Sequence, residues 1–109
     1  ASSTSAVFRQ HFKSLAAYIV QELPGGSGDK IVDIGSNDGV LLEPLADWGI
    51  KAIGVEPATN LVEIARLKGL TVINKFFDKS CIPEIGRNSV DVVTACNVFA
   101  HISELRIIM

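Results

Sequence analysis

Four short apolar runs, separated by segments with helical or turn-forming character, most strongly constrain the fold of this chain of 109 residues. The runs cover residues 30–34, 50–55, 70–73 and 90–96. Nearly continuous apolar stretches of this length are typical of strands that are buried on both faces of a sheet. Strands that alternate with helices predict a parallel sheet with helices on both sides. We therefore expect an α/β fold built on a doubly wound parallel sheet of about four strands.

Helices are predicted before and between the apolar runs. Residues 6–23 carry apolar side chains at helical spacing and predict a helix that precedes the first strand. Further helices are predicted over 40–48 and 59–68, whereas 78–88 is interpreted as irregular or as a short helix. A final helix is expected to begin near Ser103. The chain is therefore interpreted as a single domain.

The composition excludes several classes of function. With 10 Lys and Arg against 12 Asp and Glu, the chain has no basic surplus, so we do not expect it to bind nucleic acid. No apolar run reaches the length of about 18 residues that a membrane span needs, and no signal peptide is recognisable. Cys81 and Cys96 form no Cys-x-x-Cys motif, so we expect no metal site and predict a cytoplasmic protein with reduced thiols.

The stretch Val-Asp-Ile-Gly-Ser-Asn-Asp-Gly, residues 32–39, covers the end of the first predicted strand and the turn after it. In a doubly wound sheet, ligands bind at the carboxyl ends of the strands, where the strand order reverses. Gly35 and Gly39 allow the backbone to turn sharply and to approach a ligand, although glycine pairs at such turns also occur without one. The dinucleotide fingerprint G-x-G-x-x-G would need glycine in place of Asn37 and Val40, which argues against a nicotinamide-dependent oxidoreductase.

Acidic and aromatic residues follow the next two runs. Glu56 lies 23 residues after Asp33 and is placed to accept hydrogen bonds from both hydroxyls of a ribose, with a solvated loop glutamate as the alternative. After the third run, Phe76 or Phe77 is expected to stack on an adenine while the other packs in the core. Asp78 is expected to accept a hydrogen bond from the exocyclic amine of that base.

Taken together, these residues resemble the class I S-adenosylmethionine-dependent methyltransferases, which have a Rossmann-like fold. Asp33, Gly35 and Gly39 match the first motif of that family, with Asn37 in place of a middle glycine. Four stretches are more specifically similar to the core of the sugar C-methyltransferases, which act on nucleotide-linked keto-deoxysugars. They are S-S-T-S-A-V-F-R-Q-H-F at 2–12, V-D-I-G-S-N-D-G at 32–39, G-V-E-P-A at 54–58 and C-N-V-F-A-H-I at 96–102.

The resemblance implies S-adenosylmethionine as cofactor and a small-molecule acceptor, which we expect to be a nucleotide sugar. It implies that Asp33 orders the methionine ammonium and that His101 is the base for C-methylation next to a ketone. A histidine that caps or packs at a helix start is the alternative for His101. The cofactor-binding residues that we predict are Asp33, Gly35, Ser36, Asn37, Gly39, Glu56, Pro57, Phe76, Phe77, Asp78 and Asn97.

The chain departs from the family pattern at both ends. Family members carry a cysteine-rich zinc-binding region before this core and another domain after it, and their cores have seven strands. Residues 106–109 are interpreted as a helix that is cut within a turn, so we expect residues 1–109 to be a partial cofactor-binding domain. A non-catalytic cofactor-binding fragment and a methyltransferase for another small molecule are the alternatives. A sheet that ends at 90–96 would expose an apolar edge, which predicts self-association through that strand.

Overall fold

The computed structural model describes residues 6–23, 25–86, 89–95 and 98–101. It contains four α-helices, two short 3-10 helices and five strands within those residues. The α-helices are α1 (Ala6–Gln21), α2 (Leu42–Asp47), α3 (Thr59–Leu67) and α4 (Ile82–Ile85), and the 3-10 helices cover Gly26–Gly28 and Lys79–Cys81. The strands are β1 (Lys30–Ile34), β2 (Lys51–Val55), β3 (Thr71–Ile73), β4 (Val92–Ala95) and β5 (Val98–His101).

The five strands form one sheet in the order β3-β2-β1-β4-β5. Strands β1 to β4 are parallel, which confirms the predicted Rossmann-like α/β fold with four parallel strands. The chain leaves β1 towards β2 and β3 on one side and returns to β4 on the other, so the strand order reverses between β1 and β4. This reversal opens a crevice at the carboxyl ends of the two strands, where α/β proteins bind ligands.

Apolar side chains cover the two faces of the sheet in separate clusters. Because side chains alternate along a strand, Ile31 and Val32 of β1 point to opposite faces. Ile31 packs in a cluster with residues of α1 and α2, and a neighbouring cluster joins α2, α3 and β3. Val32 packs in a cluster with Cys81 and Ile85, which belong to the 3-10 helix and α4. The described helices therefore lie on both faces of the sheet, as a doubly wound fold requires.

The structure corrects the prediction that the strand at 90–96 is a sheet edge. Strand β5 pairs antiparallel with β4 over its whole length, with Val92 opposite His101 and Ala95 opposite Val98. Among the described strands the edges are β3 and β5, so the stated reason for self-association through 90–96 is wrong. A hairpin partner for this strand was not predicted from the sequence. The helix expected near Ser103 lies outside the described residues.

Candidate functional site

The turn after β1 is held against the end of β2 by main-chain hydrogen bonds. The amide of Gly35 donates to the carbonyl of Val55 at 2.8 Å, and the amide of Gly39 donates to the carbonyl of Ser36 at 3.0 Å. Gly39 has a φ of +92°, and a Cβ at this position would lie 2.3 Å from Cδ1 of Leu70. Only glycine meets both conditions, which explains why the turn carries a glycine there. Asn37 also adopts a left-handed conformation, with a φ of 60°.

Gly54 of β2 allows the turn to lie directly on the sheet. A Cβ on Gly54 would be 2.3 Å from Oγ of Ser36 and 2.7 Å from Cδ1 of Leu42. Ser36 is 1% exposed, and its Oγ forms no hydrogen bond with any described residue. The hydroxyl therefore fills the space above Gly54 and has no polar partner among the described residues.

Glu56 links the turn to the end of β2 through both carboxylate oxygens. The amide of Asn37 donates to Oε1 at 2.8 Å, and the amide of Ala58 donates to Oε2 at 3.0 Å. Glu56 is only 8% exposed, so these two bonds offset the cost of burying its carboxylate. A carboxylate oxygen accepts more than one hydrogen bond, so each oxygen keeps capacity for a ligand hydroxyl.

Asp33 is buried near the carboxyl end of β1, at the reversal of strand order. Oγ1 of Thr94, its register partner on β4, donates to Oδ1 of Asp33 at 2.7 Å. Burial raises the pKa of Asp33 from 3.8 to about 6, the Thr94 hydrogen bond lowers it, and the negative charge of Glu56 adds to the rise. A buried carboxyl with such a pKa, in a crevice, marks a candidate site for a cation.

The loop after β3 carries the predicted adenine-binding residues. Phe76 is 76% exposed and Phe77 is 50% exposed, so the expectation that one of them packs in the core is wrong. The core position below the loop is taken by Cys81, whose thiol donates to the Phe76 carbonyl at 3.6 Å. Asp78 caps the 3-10 helix by accepting from the amide and hydroxyl of Ser80, and these hydrogen bonds lower the pKa of Asp78.

The structure brings part of the predicted cofactor-binding set together. One group lies at the carboxyl ends of β1 and β2 and consists of Asp33, the turn from Gly35 to Gly39, Glu56 and Pro57. The other group, Phe76 to Asp78, follows β3, which lies on the far side of β2 from β1. Asn97 lies outside the described residues.

The structure places His101 at the end of β5 and not at the carboxyl end of β4. Its backbone is opposite Val92, the first residue of β4. With a rise of about 3.4 Å per residue, this position is about 10 Å from the carboxyl end of the strand. The backbone of His101 therefore lies away from that end of the sheet, and the catalytic role of His101 is untested and stays a prediction.

Three residues that complete the site were not predicted as part of it. Thr94 fixes Asp33, Gly54 admits the turn, and Nδ2 of Asn74 donates to the carbonyls of Glu56 at 3.1 Å and Pro57 at 3.2 Å. A threonine within an otherwise apolar strand was the available signal for Thr94. The roles of Gly54 and Asn74 depend on contacts between strands, which no local pattern shows.

Metal-binding clusters and membrane-spanning helices are absent from the part of the chain that the structure describes. Those residues contain no cluster of three His, Cys, Asp or Glu side chains that would hold a metal ion. None of the described helices is long and apolar enough to cross a membrane. Cys81 carries a free, buried thiol, and Cys96 lies outside the described residues.

Comparisons with known proteins show the family that this chain resembles. Residues 7–109 match the family model of the methyltransferase domain. The C-methyltransferase NovU of Streptomyces niveus is 32% identical over 98 residues, which cover 88% of this chain and 23% of NovU. A ubiquinone biosynthesis O-methyltransferase of Methylococcus capsulatus is 30% identical over 82 residues, which cover 72% of this chain and 35% of that protein. The chain thus matches only about a quarter to a third of the length of these relatives.

A solved structure supports the fold. It is that of a Methanococcus maripaludis protein described as an S-adenosyl-L-methionine-dependent methyltransferase. It superposes with a TM-score of 0.66 at 22% identity and covers 86% of this chain and 45% of that one. Since the family match extends over nearly the whole chain, the chain belongs to the methyltransferase domain family and has the class I S-adenosylmethionine-dependent methyltransferase fold.

Proposed function

We propose that this domain binds S-adenosylmethionine at the carboxyl ends of β1 and β2, within a protein that methylates a small molecule. The observation that carries the proposal is the pairing of two buried carboxylates, Asp33 and Glu56, on either side of one glycine turn. Buried carboxylates are costly unless something compensates their charge, so two at one crevice favour a ligand with a cationic end and hydroxyl donors. The methionine ammonium and the ribose of this cofactor supply both.

Each part of the site has a role that follows from its chemistry. Asp33 binds the ammonium through a charge-assisted hydrogen bond, and the main chain of Gly35, Ser36, Asn37 and Gly39 encloses the methionine end. Glu56, followed by Pro57, accepts from the ribose hydroxyls with the oxygen capacity that the two amides leave free. The sulfonium supplies an activated methyl group, so the protein needs to align donor and acceptor and to manage a proton.

We also propose an adenine site at the loop after β3. Phe76 and Phe77 are exposed aromatic rings beside the ribose-binding end of β2, and a ring that stacks on a base would become buried on binding. Asp78 already accepts from Ser80, so it contributes to base recognition only through its remaining acceptor capacity. Asn97 is kept as a predicted contact of the methionine end.

Calorimetric titration with S-adenosylhomocysteine tests this proposal, with NADH as the control ligand. We expect S-adenosylhomocysteine alone to bind. Binding of NADH alone would contradict the interpretation of the turn, and binding of neither would contradict a cofactor site in this protein.

Variants of Glu56 test its assignment to the ribose. Glu56→Ala is expected to weaken binding by about tenfold to a hundredfold. Glu56→Gln keeps one oxygen acceptor, so it loses only one of the two amide hydrogen bonds and should disturb the turn less than Glu56→Ala does. The matched control is Glu63→Gln, because Glu63 is an exposed acid on α3. Unchanged affinity in both Glu56 variants would remove this residue from the site.

For the acceptor, we propose C-methylation of a nucleotide-linked keto-deoxysugar. The support is the similarity to the C-methyltransferase NovU and the sequence resemblance to sugar C-methyltransferases. In such a reaction a base removes the proton next to the ketone, and the resulting enolate carbon attacks the methyl group as the sulfonium sulfur leaves. His101 is the predicted base, and loss of turnover with retained cofactor binding in His101→Gln would support it.

The similarity to an O-methyltransferase of ubiquinone biosynthesis favours a second acceptor class, a hydroxyl group of another small molecule. Methyl transfer from isotopically labelled S-adenosylmethionine would be assayed with a keto-deoxysugar nucleotide and with a catechol, using the whole protein that contains this domain. NMR of the product distinguishes a methyl group on carbon from one on oxygen. A labelled catechol with no labelled sugar would contradict the proposed sugar C-methylation.

A further inference from the structure

A buried hydrogen bond joins Thr94 to Asp33 across the reversal of strand order. The Thr94 hydroxyl has a single proton and two acceptors within reach, Oδ1 of Asp33 at 2.7 Å and the carbonyl of Val32 at 3.4 Å. The shorter distance assigns the proton to the carboxylate, because a charge-assisted O–H···O bond has this length. Thr94 is 1% exposed, so water does not compete for its hydroxyl.

We infer that Thr94 is a positioning residue that holds Asp33 as an oriented carboxylate for the cationic end of the cofactor. This inference rests on the proposed function. Oδ1 accepts the hydrogen bond from Thr94, whereas Oδ2 accepts no hydrogen bond from the part of the chain that the structure describes. The threonine therefore fixes one oxygen and leaves the other for the ligand.

The position of Thr94 in the sheet explains how its hydroxyl orients the carboxylate of Asp33. Asp33 and Thr94 are direct partners in the parallel β1–β4 register, on the last but one residue of each strand. Both side chains therefore leave the sheet on the same face, at the crevice where the strand order reverses. Valine would fit the same space without a hydroxyl, so the presence of threonine is not explained by packing alone.

The charges around Asp33 oppose its ionised form, so the hydrogen bond from Thr94 should have a measurable effect on the pKa of Asp33. Glu56 at the end of β2 adds negative charge, and β4 contributes no ionisable side chain between Val92 and Ala95. The ionisable residues of the helices on this face are Arg9, His11, Lys13 and Tyr18 of α1, Glu43 and Asp47 of α2, and Glu63 and Arg66 of α3. Four of these line a groove beside α2, and His11 packs edge-on to Phe12. Thr94 is thus the described group whose hydrogen bond favours the charged form of Asp33.

The test compares Thr94→Val, which removes the hydroxyl, with Thr94→Ser, which keeps it, in titrations with S-adenosylhomocysteine from about pH 5.5 to 8.5. We expect Thr94→Val to bind about fivefold more weakly than the parent at about pH 6, because a higher pKa of Asp33 leaves less carboxylate. At the alkaline end of the range the two should agree within about twofold, and Thr94→Ser should follow the parent at every pH. A purely structural defect would weaken binding equally at all pH values.

An NMR titration of the Asp33 side-chain carboxyl carbon, without ligand, provides the second readout. The pKa of Asp33 should be higher in Thr94→Val than in the parent and in Thr94→Ser. Identical pKa values and identical pH profiles of binding in the valine variant would overturn the inference. If the parent itself failed to bind S-adenosylhomocysteine at any pH, the proposed function would fall and with it the role of Thr94 in ligand binding. A shifted carboxyl titration would then still identify the contact with Asp33.

Discussion

Replacement of Asp33 by asparagine is expected to stabilise the unliganded protein while it weakens ligand binding. Asparagine has nearly the same shape, and its Oδ1 can still accept the hydrogen bond from Thr94. What the replacement removes is a carboxylate that is only 6% exposed and lies near a second buried acid, Glu56. Burial of an uncompensated charge is among the most destabilising features of a folded protein.

The magnitude follows from the pKa of Asp33, which rises from 3.8 to about 6 on folding. Each pKa unit corresponds to about 1.36 kcal/mol, so the ionised side chain lowers the free energy of unfolding by about 3 kcal/mol at pH 7. The folded state binds the proton of Asp33 more tightly than the unfolded state does. The free energy of unfolding is therefore undiminished by Asp33 below about pH 3.8, and the loss develops as the pH rises through about 6. The side-chain amide introduced by Asp33→Asn also needs an acceptor for its N–H groups, so we expect a net gain of about 1–3 kcal/mol.

Urea unfolding monitored by circular dichroism, at intervals from about pH 4 to pH 8, measures this effect. The parent should lose stability relative to Asp33→Asn between about pH 4 and 6, and the two should converge at the acidic end. Asp47→Asn is the control, because Asp47 is an exposed aspartate at the end of α2. Parallel pH profiles for the parent and Asp33→Asn, or a lower stability of Asp33→Asn than of the parent at neutral pH, would refute the reasoning.

Three further substitutions test the packing and the hydrogen bonds around the turn. Ser36→Ala should raise the free energy of unfolding by about 1 kcal/mol in a denaturant titration, since its buried hydroxyl has no partner among the described residues; a loss of stability would contradict this. Gly54→Ala should lower the free energy of unfolding by about 2–3 kcal/mol through the clash with Oγ of Ser36. Adding Ser36→Gly to that variant should restore part of the loss. Asn74→Ala should weaken S-adenosylhomocysteine binding about threefold to tenfold with a loss of stability below about 1 kcal/mol, because it removes the amide that supports Glu56 and Pro57. Unchanged affinity would show that this support is dispensable.

The parallel part of the fold was predictable because its signals are local. The four apolar runs became β1 to β4, with ends that differ by at most two residues, since strands buried on both faces need continuous apolar sequence. The fifth strand was missed because a strand of four residues gains its identity from pairing with β4, and no periodicity marks so short a segment. Helix α2 begins at Leu42, two residues later than predicted, because the turn extends further along the chain.

The candidate site was predictable where a residue type and a strand end coincide. Asp33 and Glu56 satisfy both conditions, and the structure places them on either side of the turn at 35–39. The two exposed phenylalanines show the limit of such reasoning, because the depth of a side chain in an irregular loop depends on which neighbour reaches the core first. Here Cys81 does so, and Phe76 and Phe77 remain outside.

The two amide hydrogen bonds of Glu56 have a consequence for the dynamics of recognition. They tie the main chain at Asn37 and Ala58 to one carboxylate before any ligand arrives. If Glu56 binds the ribose as proposed, a site that is preorganised in this way loses little conformational entropy when it is filled. Amide hydrogen exchange at Asn37 and Ala58 should therefore be slow in the free protein and should slow little further on binding. The loop at Phe76 and Phe77 should instead gain most of its protection from the ligand.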